Sequence, residues 1–345
     1  MDKIRIGIIC PSEIAFRRFL PALQKDKRFV FIGIGVADAV EWYGQESQVS
    51  GEMEKDRLRK EVEKADSFIE MCGCGKVFES YTSLITSKEV DAVYIPLPPA
   101  LHYKWAMLAL QNGKHVFVEK PATIDSKDTQ HLIDIARRKD LAFHENYMFI
   151  YHNQLQAVNK FVDSGEIGDV RLYRISFGFP RRAQNDFRYN KALGGGALID
   201  AGGYTLKYAS YLLGPSARLT TAHLNYTDGF EVDMYGSATM INDAGVTAQL
   251  AFGMDNDYKC EIEIWGSKGT LISNRILTAP AGFEPECIIK RGPECRTCKL
   301  PEDDAFFKSI DRFYDCMMNV EVRQEEYESI SLESRLLTAF KDMCI

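Results

Sequence analysis

Val90-Asp91-Ala92-Val93-Tyr94-Ile95-Pro96, helical spacing from Leu101 to Gln111, Val116-Phe117-Val118-Glu119, helical spacing again over 126–138, then Leu141-Ala142-Phe143-His144: this stretch decides the fold. Short apolar runs alternate with amphipathic helices, the pattern of strands buried on both faces and joined by helical crossovers. It predicts a doubly wound parallel sheet.

Upstream, Ile4 to Ile9 and Phe29 to Val36 read as two more strands, with a helix from Glu13 to Leu23 between them that places Ile14, Phe19, Leu20 and Leu23 at helical spacing. A polar, helix-favouring insertion follows over 39–72, where Glu52, Lys55, Arg57, Lys60, Glu61 and Lys64 suggest a solvated helix face. Downstream of Tyr147 the texture changes. Strand-like runs recur over 170–179, 217–225, 235–240, 247–252, 258–264 and 270–272, and the tail carries Phe306, Ile310, Phe313, Leu336, Leu337 and Phe340 at helical spacing. The expectation is an α/β N-terminal domain over 1–146 and an α+β C-terminal domain over 147–345, the latter with a large, mainly antiparallel open sheet and terminal helices.

The 345 residues agree with two domains at roughly 150 residues each. Hydrophobic content of 46% and charged content of 26% exclude disordered and fibrous classes. With 42 basic against 49 acidic residues the net charge is −7, which offers no general attraction to nucleic acid. No run approaches the roughly 20 apolar residues of a membrane span, and Met1 to Gly7 lacks the apolar core of a secretory leader, so a soluble cytoplasmic protein is expected. Nine cysteines in such a chain read as buried or incidental thiols. Cys295-Arg296-Thr297-Cys298 has the spacing of half a zinc site or a redox pair but lacks a second ligand pair, and no metal site is expected.

The turn after the first strand is where a dinucleotide's pyrophosphate can meet helix-end amides. It offers Cys10, Ser12 and Ala15 at the three small-residue positions, with Cys10, Pro11, Ser12, Glu13 and Ile14 as candidate contacts; the alternative is an ordinary helix capped by Ser12. Asp38 follows Ala15 by 23 positions, near the distance at which a carboxylate accepts ribose hydroxyls and repels a 2′-phosphate. That favours NAD(H) over NADP(H), and helix capping is the competing role for Asp38.

Two segments carry a family resemblance. Glu119-Lys120-Pro121 follows the fifth strand, and Leu193-Gly194-Gly195-Gly196 runs into Asp200 and Tyr204. With Leu97 to His102, Glu145-Asn146-Tyr147 and Ile264 to Gly269, these segments make nearly the whole chain resemble the glucose–fructose oxidoreductase / inositol dehydrogenase / MocA family. The resemblance implies a Rossmann domain in which Pro96, Leu97, Pro98, His102, Glu119, Lys120 and Pro121 face the cofactor and Lys120 faces the reacting carbon. It implies a tyrosine-type site as in dihydrodiol dehydrogenase and the nucleotide-sugar ketoreductases, with Tyr204 as general acid and base. Lys120 would polarise the substrate oxygen and favour tyrosinate at Tyr204, and Asp200 would orient substrate or lysine. The lost fingerprint glycines, Pro99 and the polar insertion depart from the family pattern.

Arg181, Arg182, Asp186, Arg188 and Tyr189 precede the glycine run, and Arg182 and Arg188 are the expected substrate contacts; a solvated loop is the alternative. The whole reads as an oxidoreductase moving hydride between nicotinamide and a carbinol or keto carbon of a free or nucleotide-linked sugar. Alternatives are a polyol or trans-dihydrodiol dehydrogenase, transient oxidation assisting glycoside elimination, and a non-catalytic NAD-binding regulator. The family implies a dimer or tetramer.

Overall fold

The structure, a computed structural model, describes residues 3–44 and 51–344. Six parallel strands form the first sheet: β1 (Ile4–Ile9), β2 (Phe29–Gly35), β3 (Lys76–Phe78), β4 (Ala92–Ile95), β5 (His115–Val118) and β6 (Phe143–Glu145), in the order β3-β2-β1-β4-β5-β6. Strand order reverses between β1 and β4, so a crevice opens at their carboxyl ends. Side chains alternate across this sheet. Val93, Ile95, Val116 and Val118 pack under Trp105, Ala109, Leu132 and Ala136 on one face. Ile6, Ile8, Tyr94 and Phe117 pack under Phe19, Leu20 and Phe68 on the other.

The second sheet has eight strands: β7 (Val170–Gly178), β8 (Arg218–Tyr226), β9 (Asp233–Ile241), β10 (Thr247–Gly253), β11 (Lys259–Gly266), β12 (Thr270–Asn274), β13 (Glu286–Arg291) and β14 (Glu294–Lys299). Their order is β14-β13-β12-β11-β7-β10-β9-β8, antiparallel throughout except that β7 and β10 run parallel. Helices Asn153–Asp163 and Gly203–Leu213 cover one face. In β10, Ala248, Leu250 and Phe252 point into that core while Gln249 and Ala251 point out, the period-2 signature of a sheet with one solvated face.

The tail joins both cores. Helix Ala305–Met318 adds Phe306, Ile310 and Phe313 to the first sheet, and helix Val320–Met343 adds Leu336, Leu337 and Phe340 to the second.

Several sequence expectations shift. The polar insertion forms two helices, Ala39–Tyr43 and Gly51–Cys72; its residues 45–50 lie outside the described residues, as do Met1 and Asp2. The face of the second helix is not wholly solvated, because Glu61, Ala65 and Phe68 are buried. Cys295 and Cys298 stand three apart in an extended strand, so their side chains alternate to opposite faces and cannot act as a pair; Cys298 instead faces Cys287 across the hairpin. Among the described residues, no helix is long and apolar enough to cross a membrane.

Candidate active site

The residues singled out for the cofactor line the carboxyl ends of the first sheet. Cys10 leaves β1 with φ of 73°, in the left-handed region where the dinucleotide fingerprint places glycine. Ser12 Oγ accepts from Ala15 N at 3.3 Å, so Ser12 does cap the helix. The first-turn amides of that helix have no intrahelical acceptor and face the turn. Burial pushes the Cys10 thiol up to about 12, so its sulfur stays neutral. A neutral turn beneath a helix N-terminus fits a dinucleotide's pyrophosphate.

Asp38 caps helix Ala39–Tyr43. Its carboxylate accepts from Glu41 N at 2.8 Å while Glu41 reaches back to Asp38 N, a full capping box. Arg57 is drawn to the same corner, where it donates to Ala37 O at 2.8 Å and pairs with Glu54 and Glu61. His102 is fully buried, with ring nitrogens 2.8 Å from Pro121 O and 2.7 Å from Leu97 O. It therefore fastens the loops after β4 and β5 to each other instead of facing the crevice.

Lys120 and Asp200, 80 positions apart in sequence, meet across the crevice. Lys120 Nζ donates to Asp200 Oδ1 at 2.6 Å and to Asp200 O at 2.8 Å. Arg188 Nε donates to Asp200 Oδ2 at 2.6 Å, and Arg188 also pairs with Asp186 at 3.1 Å. Burial would raise the Asp200 carboxyl, but the Lys120 ammonium and the Arg188 guanidinium overcome it and hold the group well below the usual carboxylate range. Asp200 is thus a fixed anion that orients the lysine.

Glycine is required beside it. A Cβ on Gly195 would lie 2.3 Å from Arg188 O, and Gly194 has φ of +78°. The glycine run thereby lets the Arg188 loop pack directly against the start of the catalytic helix. That start is a wide π turn, Leu198–Gly202, from which Asp200 projects.

Tyr204 sits under Lys120, whose Nζ lies 4.8 Å from the ring centroid. Tyr147, Phe149 and Phe177 hold the ring at centroid distances of 5.3, 5.5 and 5.1 Å. Among the described residues, the phenol's hydrogen-bond partner is Met148 Sδ, at 4.0 Å. The expectation that Lys120 favours tyrosinate is corrected here. Burial, with Glu119 and Asp200 adding their charge, pushes Tyr204 well above its usual range, and the opposing Arg188 charge does not offset it.

Sequence reasoning missed the support behind Lys120. Glu119 Oε1 accepts from Tyr94 Oη and from Asn146 Nδ2, both at 2.7 Å. Asn146 Oδ1 accepts from Ser309 Oγ at 2.8 Å, and His144 Nε2 lies 2.8 Å from that hydroxyl. Helix Ala305–Met318 is thereby tied by hydrogen bonds, through Asn146, to the residue preceding the lysine. Glu145-Asn146-Tyr147 was visible as a resemblance, but no spacing rule connects it to Ser309.

Of the expected substrate contacts, Arg188 reaches the site. Arg182 is exposed beside it, with its guanidinium over the Phe179 ring at 5.0 Å.

Known proteins share this architecture. The family model "Oxidoreductase family, NAD-binding Rossmann fold" matches residues 27–147, and "GFO/IDH/MocA C-terminal domain" matches residues 155–272. The dTDP-3,4-didehydro-2,6-dideoxy-alpha-D-glucose 3-reductase of Actinomadura kijaniata is 35% identical over 340 residues, 99% of this chain and 95% of the relative. Its counterpart in Streptomyces violaceoruber is 38% identical over 315 residues, 91% of this chain and 85% of the relative. The solved 3-ketoreductase of Actinomadura kijaniata in complex with NADP and TDP-benzene superposes with a TM-score of 0.89 at 35% identity, over 99% of this chain and 98% of that one. Variants of that enzyme with a tyrosine exchanged for phenylalanine, or a lysine for alanine, also hold both ligands. The chain belongs to the glucose–fructose oxidoreductase / inositol dehydrogenase / MocA family, as an NAD(P)-dependent oxidoreductase acting on sugars.

Proposed function

We propose that the chain reduces a keto group of a nucleotide-linked sugar, with Lys120 holding the carbonyl oxygen and Tyr204 delivering the proton. The observation that carries this reading is geometric: Lys120, fixed by two bonds to Asp200, stands 4.8 Å over the ring of Tyr204. Burial, with Glu119 and Asp200 adding their charge, raises the phenol further above its ordinary range, so Tyr204 holds a proton to donate.

An ammonium has three N–H donors, and Asp200 takes two of those of Lys120. The third is available to polarise a ketone oxygen and to stabilise the alkoxide that develops on it. Bound nicotinamide cofactor supplies the hydride. Tyr204, whose hydroxyl has no stronger partner among the described residues than Met148 Sδ, then passes its proton to the alkoxide. The lysine and tyrosine exchanged in the Actinomadura kijaniata variants stand 84 positions apart, the separation of Lys120 and Tyr204, which supports these roles.

The test follows oxidation of NADH and NADPH with keto sugars, free and TDP- or UDP-linked, and the reverse reaction with polyols and trans-dihydrodiols. Nucleotide-linked ketones should turn over fastest. Tyr204→Phe keeps the aromatic packing and removes only the hydroxyl, so kcat should fall about 10²–10⁴-fold. Faster oxidation of a polyol or dihydrodiol, or an unchanged Tyr204→Phe enzyme, would overturn the reading.

NAD(H) is the proposed preference, although the solved relative holds NADP. Asp38 supplies a carboxylate at the end of the second strand, and the nearby Arg57 charge is already committed to Glu54 and Glu61. Serine is as good a helix cap as aspartate, so Asp38→Ser removes the charge and keeps the helix start. The ratio of kcat/KM for NADH over NADPH should drop about tenfold, the worth of one charged hydrogen bond. An unchanged ratio would reduce Asp38 to a cap.

A further inference from the structure

We propose that Cys287 and Cys298 are a modification site at the edge of the second sheet, a dithiol that hydrogen peroxide converts to a cross-strand disulfide. The two residues are register partners in the β13–β14 hairpin. Directly opposed antiparallel residues turn their side chains to one face with Cα atoms about 4.5–5.5 Å apart, inside the roughly 4.4–6.8 Å that a disulfide bridges. The backbone of the hairpin therefore already holds the spacing of the bond.

The two thiols differ as the chemistry requires. Cys287 is fully buried in the core beneath the sheet, whereas Cys298 packs against that core and is partly open to solvent. Peroxide thus meets Cys298 first. Arg296, two residues earlier on the same face of β14, donates from Nη1 to Cys298 Sγ at 2.8 Å. A guanidinium at that place stabilises the negative charge the sulfur carries as it attacks. Glu166 Oε1 accepts from Nε and Nη2 of the same guanidinium and keeps it there. Burial, and then the neighbouring Cys298 sulfur, push the Cys287 thiol up to about 12, so Cys287 waits as the protonated, resolving thiol. Cys295 is exposed but lies opposite Lys290, with no thiol across from it.

The deprotonated Cys298 sulfur attacks one peroxide oxygen, the O–O bond breaks, and the departing hydroxide leaves as water with the thiol's proton. Cys298 is then a sulfenic acid. Cys287 Sγ attacks Cys298 Sγ, the S–O bond breaks, and that hydroxide leaves as water with the Cys287 proton. Two thiols lose two electrons to one peroxide, which becomes two waters. The new bond ties the edge strand β14, whose one neighbour in the sheet is β13, to the strand beneath it.

Peroxide treatment followed by alkylation, non-reducing tryptic digestion and mass spectrometry tests this, because Lys290, Arg291 and Arg296 place Cys287, Cys295 and Cys298 on separate peptides. The wild type should yield Cys287 and Cys298 linked, two hydrogens lighter, and dithiothreitol should reopen the bond. In Cys287→Ser, Cys298 should instead accumulate as a sulfenic acid that dimedone traps. Arg296→Gln, an exposed substitution, should form the link at least about tenfold more slowly, the worth of one charged hydrogen bond. An unchanged rate would overturn the part assigned to Arg296. The site itself falls if wild-type Cys298 is still free to alkylate once Cys295 is oxidised, or is found linked to Cys295 in place of Cys287.

Discussion

Lys120→Ala should lower kcat/KM by at least about 10²–10³-fold, the loss seen when one preorganised donor to a developing oxyanion is removed. The side chain is only 12% exposed, and its ammonium is fixed by two bonds to Asp200, so its position is set before any substrate arrives. The preorganisation depends on Asp200 being an anion at every working pH, which Lys120 and Arg188 secure by holding its carboxyl far below neutrality. Removing the lysine leaves Arg188 to neutralise Asp200, so the fold should hold and the cofactor Kd should change little. Stopped-flow turnover beside NADH titration separates the two effects. A variant within tenfold of wild type, or one that loses cofactor binding along with turnover, would refute the assigned role.

The parts of the fold legible in the sequence are those whose burial is continuous. Val93, Tyr94 and Ile95 are enclosed on both sides, so their strand reads as an unbroken apolar run. Strand β3 has only Phe78 buried, and β14 is almost wholly exposed, so neither shows a period. In β14 a metal-like cysteine spacing drew the attention instead, and only the extended backbone shows that the two thiols diverge.

The same division holds at the site. Lys120, Asp200 and Tyr204 were readable because each sits in a motif. What raises Tyr204 was not, because it depends on burial in an aromatic cage built from two distant segments, 147–149 and β7, and on a carboxylate at Glu119. Spacing reports neighbours along one helix face. It carries no information on which distant charge has already claimed the lysine.

The largest stability effect should come from Lys207, one helical turn past the catalytic tyrosine and only 7% exposed. Its Nζ lies 3.3 Å from Glu145 Oε2, and Glu145 Oε1 in turn accepts from Ala122 N at 2.7 Å, just after the Glu119-Lys120-Pro121 motif. Glu333, wholly buried, has neither carboxyl oxygen hydrogen-bonded among the described residues. Burial raises both carboxyls, and the Lys207 ammonium is what counters it. Lys207→Met keeps the volume of the stem but leaves two buried acids without a cation, at a cost of about 3–5 kcal/mol near pH 7.

The pH dependence distinguishes this cause from lost packing. A carboxyl whose folded pKa exceeds its unfolded one stabilises fully below the unfolded value and loses that contribution as pH rises through the folded one. Without the ammonium both folded values climb further, so the deficit of Lys207→Met against wild type should be greatest at pH 7–8 and shrink as pH falls toward the ordinary glutamate range. Adding Glu333→Gln to Lys207→Met removes one of the two acids and should recover part of the loss at pH 7. Denaturant unfolding of the three proteins across pH 5–8 measures this, and a deficit that stays constant with pH would show that the lysine acts through packing alone.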